Sequence, residues 1–494
     1  MKKYLLGIDV GTTGTKTLLF SADGQLLGHA YRGYDMLTPQ VGYSEQNAED
    51  WWNAVCETVR EVCADPEIGK AVAAISLSLQ GGTMVAVDKD MQPVRPAMVW
   101  NDARGAAQKE AYLREVGEAE TMYQKTGWRL GNGLLAVEIR WMKENEPELF
   151  EKTAMFLSVP DYVSMKMTGV PAVDMSDAGI NQLADIRIGG YDPEILKYAG
   201  ITEDKLPKIV RSGEVIGNLT PEAAEAMGLS TDAVLVAGAH DQYAVALGAG
   251  AVNAGDILIG SGTCWVVTAI GDEPAFETGL AQSVAAVPGK WGSLLSLSSG
   301  GVCLEWWRRN LTVAPDGSQI PFDVINEEVA KRKAAEDGLF FYPFSGNAAP
   351  DRKFQKASFI GLDLSHDRFD IARAIMEGVA FQAIWMMASF KTKPSKEGLK
   401  LAGGASKSAL WCQMVADIAN LPVRIPEVAD LACVGAAILA GTGCGIYPNV
   451  EEGYKCLAVR ERVIQPDPAR AQMYAKLYEQ YKKCAGTLGE VYGL

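Results

Sequence analysis

The segment Gly7-Ile8-Asp9-Val10-Gly11-Thr12-Thr13-Gly14-Thr15-Lys16 predicts how the chain begins to fold. The apolar residues before and within it are typical of a buried strand, which ends in the carboxylate of Asp9. Gly11 then permits a turn that exposes backbone amides beside the hydroxyls of Thr12 and Thr13. Such amides and hydroxyls suit phosphate oxygens, and the carboxylate suits a hydrated cation. An ordinary β-turn is the alternative interpretation of the same residues.

A P-loop does not fit this segment, because a P-loop has glycine directly before Lys-Ser/Thr and a helix directly after the loop. Here Thr15 precedes Lys16, and residues 17–20 continue as a β-rich stretch to a turn signal at residues 21–24. The loop is therefore expected to join the two strands of a hairpin.

A second loop of the same kind occurs near the middle of the chain. Residues 256–267 again read as strand, turn and strand, with Gly262 and Thr263 in the turn. Gly262 follows Gly11 by about half the length of the 494-residue chain. This repeat predicts two related α/β lobes, residues 1–250 and 251–494, each offering a hairpin to a shared central cleft. Residues from about 102 to 230 are richer in helix and charge and predict an elaboration of the first lobe.

Composition and charge narrow the class of protein. A net charge of −15 argues against nucleic acid and anionic membranes as partners. No stretch reaches the roughly 18 apolar residues of a membrane span. The nine cysteines include no Cys-x-x-Cys pair and there are only three histidines, which argues against a zinc site. We therefore expect a soluble, cytoplasmic protein with reduced thiols.

Asp241 is the candidate general base. Residues 234–237 predict a buried strand and residues 238–242 open a helix, so the carboxylate can reach a ligand at the junction. Capping of the helix is the alternative role for this residue. A kinase of small alcohols needs a carboxylate to accept the hydroxyl proton, two phosphate-binding loops and a magnesium ion. The chain offers candidates for all of them.

Two further stretches suit ligand binding. Gly403 and Gly404 follow a predicted strand and precede a helix, where the missing side chains would let an adenine lie against the backbone. A tight strand-to-helix turn is the alternative.

Residues 100–104 offer a stacking surface and hydrogen-bonding groups for a polyhydroxylated ligand. A structural tryptophan beside an Asp102–Arg104 ion pair is the alternative there.

Taken together, these segments resemble the FGGY family of carbohydrate kinases along essentially the whole chain. The matching stretches are residues 7–16, 44–52, 99–104, 238–242, 261–263, 301–308, 357–377 and 401–437. The resemblance implies two ribonuclease-H-like lobes of the actin/hexokinase ATPase type, with sugar bound by the first lobe and ATP by the second. It also implies transfer of the γ-phosphoryl group of ATP, with Mg²⁺, to a sugar hydroxyl. Homodimers are frequent among such relatives, so a homodimer is an expected assembly.

The resemblance also assigns roles to individual residues. Asp241 is the expected catalytic base, and Asp9 is the expected carboxylate on the magnesium side. The expected nucleotide-binding residues are Gly11, Thr12, Thr13, Gly262, Thr263, Gly301, Gly404, Ala405 and Ser408. The expected substrate-binding residues are Gln80, Gly81, Gly82, Trp100, Asp102, Asp241 and Gln242.

Departures from the family pattern concern the substrate. Glycerol kinases carry Arg-Glu and xylulokinases carry Met-His where this chain has Gly81-Gly82, which offer room and backbone groups but no side chain. Gln242 after the base is similar to glycerol kinases, whereas xylulokinases usually have asparagine. Glu138 stands where a lysine is usual. The expected substrate is a ketopentose such as xylulose, and the alternatives are glycerol, erythritol, ribulose and gluconate. A sugar-responsive regulatory protein that retains the ATPase fold is the non-enzyme alternative.

Overall fold

The computed structural model describes residues 4–117, 119–276, 280–312, 317–344, 356–428, 430–457 and 460–491. The chain divides into two compact units. The first unit comprises Met1–Val252, Asp272–Gly292 and Val428–Val459, and the second comprises Asn253–Gly271, Ser293–Glu427 and Arg460–Leu494. The predicted boundary at residue 250 thus separates the largest segments of the two units. Two later segments, Asp272–Gly292 and Val428–Val459, nevertheless belong to the first unit. None of the helices in these ranges is long and apolar enough to span a membrane.

The strands are short to medium in length and occur throughout both units. In chain order they are β1 (Tyr4–Val10), β2 (Gly14–Ser21), β3 (Leu26–Gly33), β4 (Glu45–Gln46), β5 (Val72–Leu79), β6 (Val85–Val87), β7 (Ala97–Met98), β8 (Met155–Leu157), β9 (Ala172–Asp174), β10 (Ala184–Asp185), β11 (Gly190–Tyr191), β12 (Lys208–Val210), β13 (Val215–Asn218), β14 (Val234–His240), β15 (Ile257–Ser261), β16 (Trp265–Gly271), β17 (Ala281–Val284), β18 (Trp291–Leu297), β19 (Phe340–Tyr342), β20 (Ser358–Ile360), β21 (Leu399–Gly403), β22 (Val423–Pro426) and β23 (Glu461–Ile464).

The α-helices are more numerous in the first unit, where residues 102–230 contain eight of them. In chain order they are α1 (Ala48–Val62), α2 (Pro66–Lys70), α3 (Ala106–Glu115), α4 (Ala119–Thr126), α5 (Leu135–Asn145), α6 (Pro147–Lys152), α7 (Val159–Thr168), α8 (Met175–Ile180), α9 (Pro193–Ala199), α10 (Pro221–Met227), α11 (Asp241–Gly248), α12 (Gly301–Asn310), α13 (Phe322–Val329), α14 (Arg368–Met387), α15 (Ala409–Ala419), α16 (Leu431–Gly443), α17 (Val450–Cys456) and α18 (Pro468–Val491).

Both units contain a sheet with the same strand arrangement. In the first sheet the order is β13-β14-β5-β1-β2-β3, and in the second it includes β18-β16-β15-β21-β22-β23. In each sheet an antiparallel hairpin, β1–β2 or β15–β16, is followed by a strand that pairs in parallel with its first strand, β5 or β21. This repeated arrangement is that of a ribonuclease-H-like sheet, and it confirms the predicted fold of two related α/β units.

Helix α16 packs directly on the backbone of the first sheet and of α11. The helix is almost entirely apolar, and its residues from Ala432 to Gly441 are buried. A Cβ atom on Gly7 of β1 would overlap the carbonyl oxygen of Cys433, and one on Gly435 would overlap that of Ala244 in α11. Only glycine permits backbones to approach this closely. The positions of β1, α11 and α16 relative to each other are therefore tightly fixed.

Glu138 lies on α5 and has no access to solvent. Among the residues the structure describes, neither of its side-chain oxygens has a hydrogen-bond partner. Burial raises the pKa of Glu138 well above its usual value, the charge of Asp102 adds to this effect, and Arg104 and Arg95 oppose it. We therefore infer that burial disfavours the charged form of Glu138, since an unpaired buried carboxylate is costly.

Replacing Glu138 by glutamine should stabilise the protein at high pH. Because the folded-state pKa of Glu138 is raised above its unfolded value, the wild type loses stability as the pH rises beyond about 4–5. Glu138→Gln removes this loss, so its free energy of unfolding should exceed that of the wild type by about 1–3 kcal/mol at pH 8 and by much less at pH 5. Urea unfolding at both pH values measures the difference. Exposed Glu110, changed to glutamine, is the matched control, and equal stability of Glu138→Gln and wild type at pH 8 would contradict the inference.

Candidate active site

The first predicted phosphate loop joins β1 and β2 as a hairpin. The amide of Gly11 donates a hydrogen bond to the carbonyl of Gly14 over 3.1 Å and closes the loop. The side chain of Gln46 donates to the carbonyl of Thr12 over 2.7 Å, and the indole of Trp100 donates to its hydroxyl over 3.3 Å. Because the loop is supported from outside by these side chains, its conformation is set before any ligand binds.

Asp9 lies at the end of β1 in a corner with an excess of carboxylates. Its Oδ1 accepts a hydrogen bond from Ser78 over 2.9 Å, and its Oδ2 lies 3.7 Å from the ammonium of Lys16. Lys16 is in turn paired with Asp430 over 2.8 Å. Burial raises the pKa of Asp9 to about 7, with the charges of Asp430 and Asp241 adding to it and Lys16 opposing it. One lysine therefore faces several acids, and a cation would be attracted to this corner.

Asp241 is the first residue of α11, and His240 occupies the N-cap position before it. The alternative interpretation of Asp241 as the helix cap is therefore wrong. The side chain of Asp241 is 35% exposed. In the part of the chain that the structure describes, no donor is assigned to its carboxylate, which is free to accept a hydrogen bond from a ligand hydroxyl. Gln242 follows it on the same helix and is partly exposed.

His240 is a neighbour of the candidate base to which the sequence motif assigns no role. Its ring is buried, and Nδ1 lies 3.6 Å from Oδ1 of Asp241. Its amide donates to the hydroxyl of Ser176 over 2.9 Å, which fixes the backbone just before the base. The ring makes edge contacts with Trp128. Nothing in the sequence motif 238–242 distinguishes this histidine from a surface residue.

The residues expected to give the substrate room are closely packed instead. Gly81 and Gly82 are both buried. A Cβ atom on Gly81 would lie 2.7 Å from Cδ2 of His240 and 2.9 Å from a carboxylate oxygen of Asp177. A Cβ atom on Gly82 would lie 2.8 Å from Leu134. The inference that these glycines leave open space is therefore wrong: side chains from β14, α8 and the approach to α5 fill it.

The side chains of Trp100 and Asp102 differ in their exposure to solvent. The Trp100 side chain is 49% exposed. The carboxylate of Asp102 is buried and accepts hydrogen bonds from the amide of Ser44 over 2.8 Å and from the guanidinium of Arg104 over 2.7 and 2.9 Å. Arg104 also pairs with Glu45 over 2.8 Å. The ion pair named as the alternative is thus present, and direct binding of a ligand by Asp102 stays a prediction.

The second predicted phosphate loop, between β15 and β16, lies against the start of α12. The amide of Gly301 donates to the carbonyl of Gly262 over 3.1 Å, and the amide of Val302 donates to that of Thr263 over 3.2 Å. A Cβ atom on Gly301 would lie 2.6 Å from the Gly262 carbonyl oxygen, so glycine is needed for this contact. The positive end of the α12 dipole therefore faces the region of the loop, which favours an anion there.

A cavity of about 620 Å³ opens beside this loop in the second unit. Its size suits a ligand as large as a nucleoside. The cavity is lined by all six expected nucleotide-binding residues of the second unit: Gly262, Thr263, Gly301, Gly404, Ala405 and Ser408. Its other lining residues are Ser261, Val302, Leu304, Glu305, Arg309, Phe322, Asn326, Lys407 and Trp411. Sequence reasoning assigned no ligand contact to these residues, and Phe322 and Asn326 lie on α13, which carries no recognisable motif.

Gly403 and Gly404 serve different purposes. Gly403 has φ of +96°, and a Cβ atom there would lie 2.8 Å from the backbone of Ser261. It therefore fits the alternative of a tight strand-to-helix turn. Gly404 lines the cavity, and the nearest atom to a Cβ placed on it is the Ser261 carbonyl oxygen at 3.4 Å. Its contact with an adenine base stays a prediction.

The family models match both halves of the chain. The N-terminal domain model of the FGGY family of carbohydrate kinases matches residues 4–248, and the C-terminal domain model matches residues 256–444. The chain belongs to this family.

Individual relatives agree with this assignment. The FGGY chain is 32% identical to the xylulose kinase of Bacillus subtilis (strain 168), over 97% of this chain and 96% of the relative. It is 29% identical to the gluconokinase of the same organism, over 89% and 87%. The solved structure of xylulose kinase from Rhodospirillum rubrum matches it with a TM-score of 0.88 and 25% identity, over 100% of both chains.

The predicted activity class is confirmed by the family. This FGGY protein is an ATP-dependent carbohydrate kinase that acts on a small-molecule sugar. The roles of individual site residues, the expected homodimer and the cytoplasmic location stay predictions.

The packing around Gly81 predicts that a methyl group there disturbs the site. Gly81→Ala should displace His240 or Asp177 and with them the surroundings of Asp241, so we expect the specificity constant kcat/KM for the sugar to fall at least about tenfold. Steady-state kinetics with excess ATP measure this change. Gly190→Ala is the matched control, because a Cβ atom at Gly190 meets nothing within 4 Å. Equal kcat/KM in wild type and Gly81→Ala would show that His240 can move away without consequence.

Proposed function

We propose that this protein is an ATP- and Mg²⁺-dependent kinase of a ketopentose, with xylulose as the first candidate. The observation that carries the proposal is the Asp241 carboxylate, which is partly exposed at the start of α11 with no donor assigned to it among the described residues. The names of two relatives, xylulose kinases from B. subtilis and R. rubrum, support the substrate. Gluconate is the second candidate, because a gluconokinase is also similar.

In the proposed reaction Asp241 accepts the proton of a sugar hydroxyl. The hydroxyl oxygen forms a bond to the γ-phosphorus of ATP while the bond from that phosphorus to the β,γ-bridging oxygen breaks, and ADP leaves. His240 keeps the backbone before Asp241 in place through its bond to Ser176. Trp100 and Gln242 offer an exposed ring and an amide to the remaining sugar groups.

The residues around Asp9 fit a magnesium ion that arrives with the nucleotide. In the described ranges, no group of three or more His, Cys, Asp or Glu side chains could hold a metal ion by itself. Mg²⁺ commonly keeps several waters and is bound by one or two carboxylates together with substrate phosphates. The carboxylate of Asp9, in a corner with surplus acids, is suited to hold such a hydrated ion. When bound, the ion would neutralise charge on the phosphates.

Within the second unit, nucleotide binding is assigned to the cavity and to the loop beside it. Gly301, Gly404 and Ala405 would face the adenosine, and Gly262 and Thr263 would contact phosphate oxygens near the start of α12. Gly11, Thr12 and Thr13 of the first unit offer a second set of amides and hydroxyls. Their support by Gln46 and Trp100 would spare the loop an ordering cost on binding.

The charge of the first unit favours a neutral sugar over a sugar acid. Asp9 and Asp241 influence each other electrostatically, as the pKa of Asp9 shows. The cations nearby that the contacts identify, Lys16 and Arg104, are already paired with carboxylates. A gluconate carboxylate would add a further negative charge beside these acids, whereas a ketopentose adds none.

A substrate panel tests this choice. We expect ATP-dependent ADP release with D-xylulose, L-xylulose or ribulose to exceed that with gluconate, erythritol and glycerol by about tenfold or more in kcat/KM. A coupled ADP assay across these compounds measures it. Preference for gluconate would refute the electrostatic argument, and activity with none of them would refute the ketopentose assignment.

Removal of the proposed base should affect turnover and spare nucleotide binding. Asp241→Asn preserves the shape of the side chain but cannot accept the proton, so kcat should fall about 10² or more. The dissociation constant for ADP, measured by calorimetry, should change less than about twofold. Asp204→Asn, an exposed acid of the same unit, is the matched control. Unchanged kcat in Asp241→Asn would remove Asp241 from the role of base.

A further inference from the structure

The hydroxyl of Ser408 is committed to contacts within the protein. Ser408 precedes α15, and its Oγ accepts a hydrogen bond from the amide of Trp411 over 3.1 Å. The same oxygen donates its proton to Oδ1 of Asn326 over 2.7 Å. A hydroxyl has a single proton to donate. Ser408, expected from the resemblance to contact adenosine, therefore has no proton left for a nucleotide.

The same chain of hydrogen bonds orients Asn326. The proton of Ser408 points to Oδ1 of Asn326, so the side-chain amide of Asn326 is held with its carbonyl oxygen toward Ser408. The amino group of Asn326, which carries two donors, is left on the other side. Among the described residues it has no assigned acceptor, and Asn326 lines the cavity. A fixed pair of donors is therefore available to a ligand there.

The walls around this donor are suited to a flat ring. Trp411, Phe322 and Leu304 line the same cavity as Asn326 and supply apolar surface. Glu305, the acid of the lining, lies 3.5 Å from Arg308 and 3.7 Å from Arg309. A heteroaromatic base with acceptor nitrogens would thus find ring-stacking surface and a directed donor together.

We propose that Asn326 recognises an acceptor nitrogen of the adenine base and that Ser408 positions Asn326 instead of contacting the nucleotide. The inference rests on the proposed nucleotide site and deepens it by naming the residue that selects the base. Adenine presents ring nitrogens as acceptors at several edges, so it complements an amino group held in one direction. Asn326 is then a specificity residue and Ser408 a positioning residue.

Two substitutions of Asn326 test its contact with the base. Asn326→Ala should weaken ADP binding about tenfold, the worth of one well-placed hydrogen bond. Asn326→Asp should weaken it further, because a carboxylate oxygen would then face the acceptor nitrogen. Calorimetry with ADP measures both, and the KM for the sugar should stay within about twofold. Asn310→Ala is the matched control, since exposed Asn310 of α12 donates to the Trp306 carbonyl.

The role of Ser408 is tested by a double-mutant cycle. Ser408→Ala should weaken ADP binding in the wild type but cause no further loss in the Asn326→Ala background, because it acts through Asn326. Additive losses would show that Ser408 contacts the nucleotide itself and would overturn its positioning role. Thermal unfolding of each variant separates this effect from the loss of the α15 cap.

The outcomes separate this inference from the proposed function. Wild-type protein that binds ADP, together with Asn326→Ala and Asn326→Asp that bind it equally well, would overturn the inference and leave the proposed function intact. Wild-type protein that fails to bind ADP would overturn the proposed nucleotide site and the inference with it.

Discussion

The direct packing of α16 on β1 and α11 is the constraint on which the first unit depends. Glycines at positions 7 and 435 remove the side chains that would otherwise separate these backbones. Asp9 lies near the end of β1, Asp241 directly follows β14, and Asp430 caps α16. Because β1 and β14 both pair in parallel with β5, their carboxyl ends lie at one edge of the sheet. Ligands of open α/β sheets bind at this edge.

This geometry has an electrostatic cost that the protein does not remove. The carboxylates of Asp430 and Asp241 add to the effect of burial in raising the pKa of Asp9, and Lys16 compensates only part of it. A purely structural corner would be more stable with fewer acids, and the surplus negative charge would attract a cation. Glu138 is different: it is buried on α5 beside paired charges, with no hydrogen-bond partner among the described residues.

Much of the architecture could be predicted from the sequence because it depends on local patterns. The two glycine–hydroxyl turns between β-rich stretches predict the hairpins. The repetition of this pattern in the second half of the chain predicts two related sheets. The carboxylate at the 238–242 junction was found by its position between strand and helix. His240 and Asn326 could not be found in this way, because their importance comes from tertiary neighbours. Asn326 matters through a hydrogen bond to a residue 82 positions away, and no local pattern on α13 encodes that.

The error at Gly81 has a more general physical reason. A protein wall is filled by side chains from several elements, so a small residue in one strand is compatible with a large residue in the next. Here the imidazole of His240 occupies the space that a side chain at position 81 would need. Protein interiors are closely packed, because the atoms around a void of this size would lose contacts. Space left by a small residue is therefore usually filled by a side chain from a neighbouring element. The residue types at positions 81 and 82 therefore indicate only whether these positions or their neighbours fill the space. The choice of sugar depends on the surface that residues 81–82 and the neighbouring elements form together.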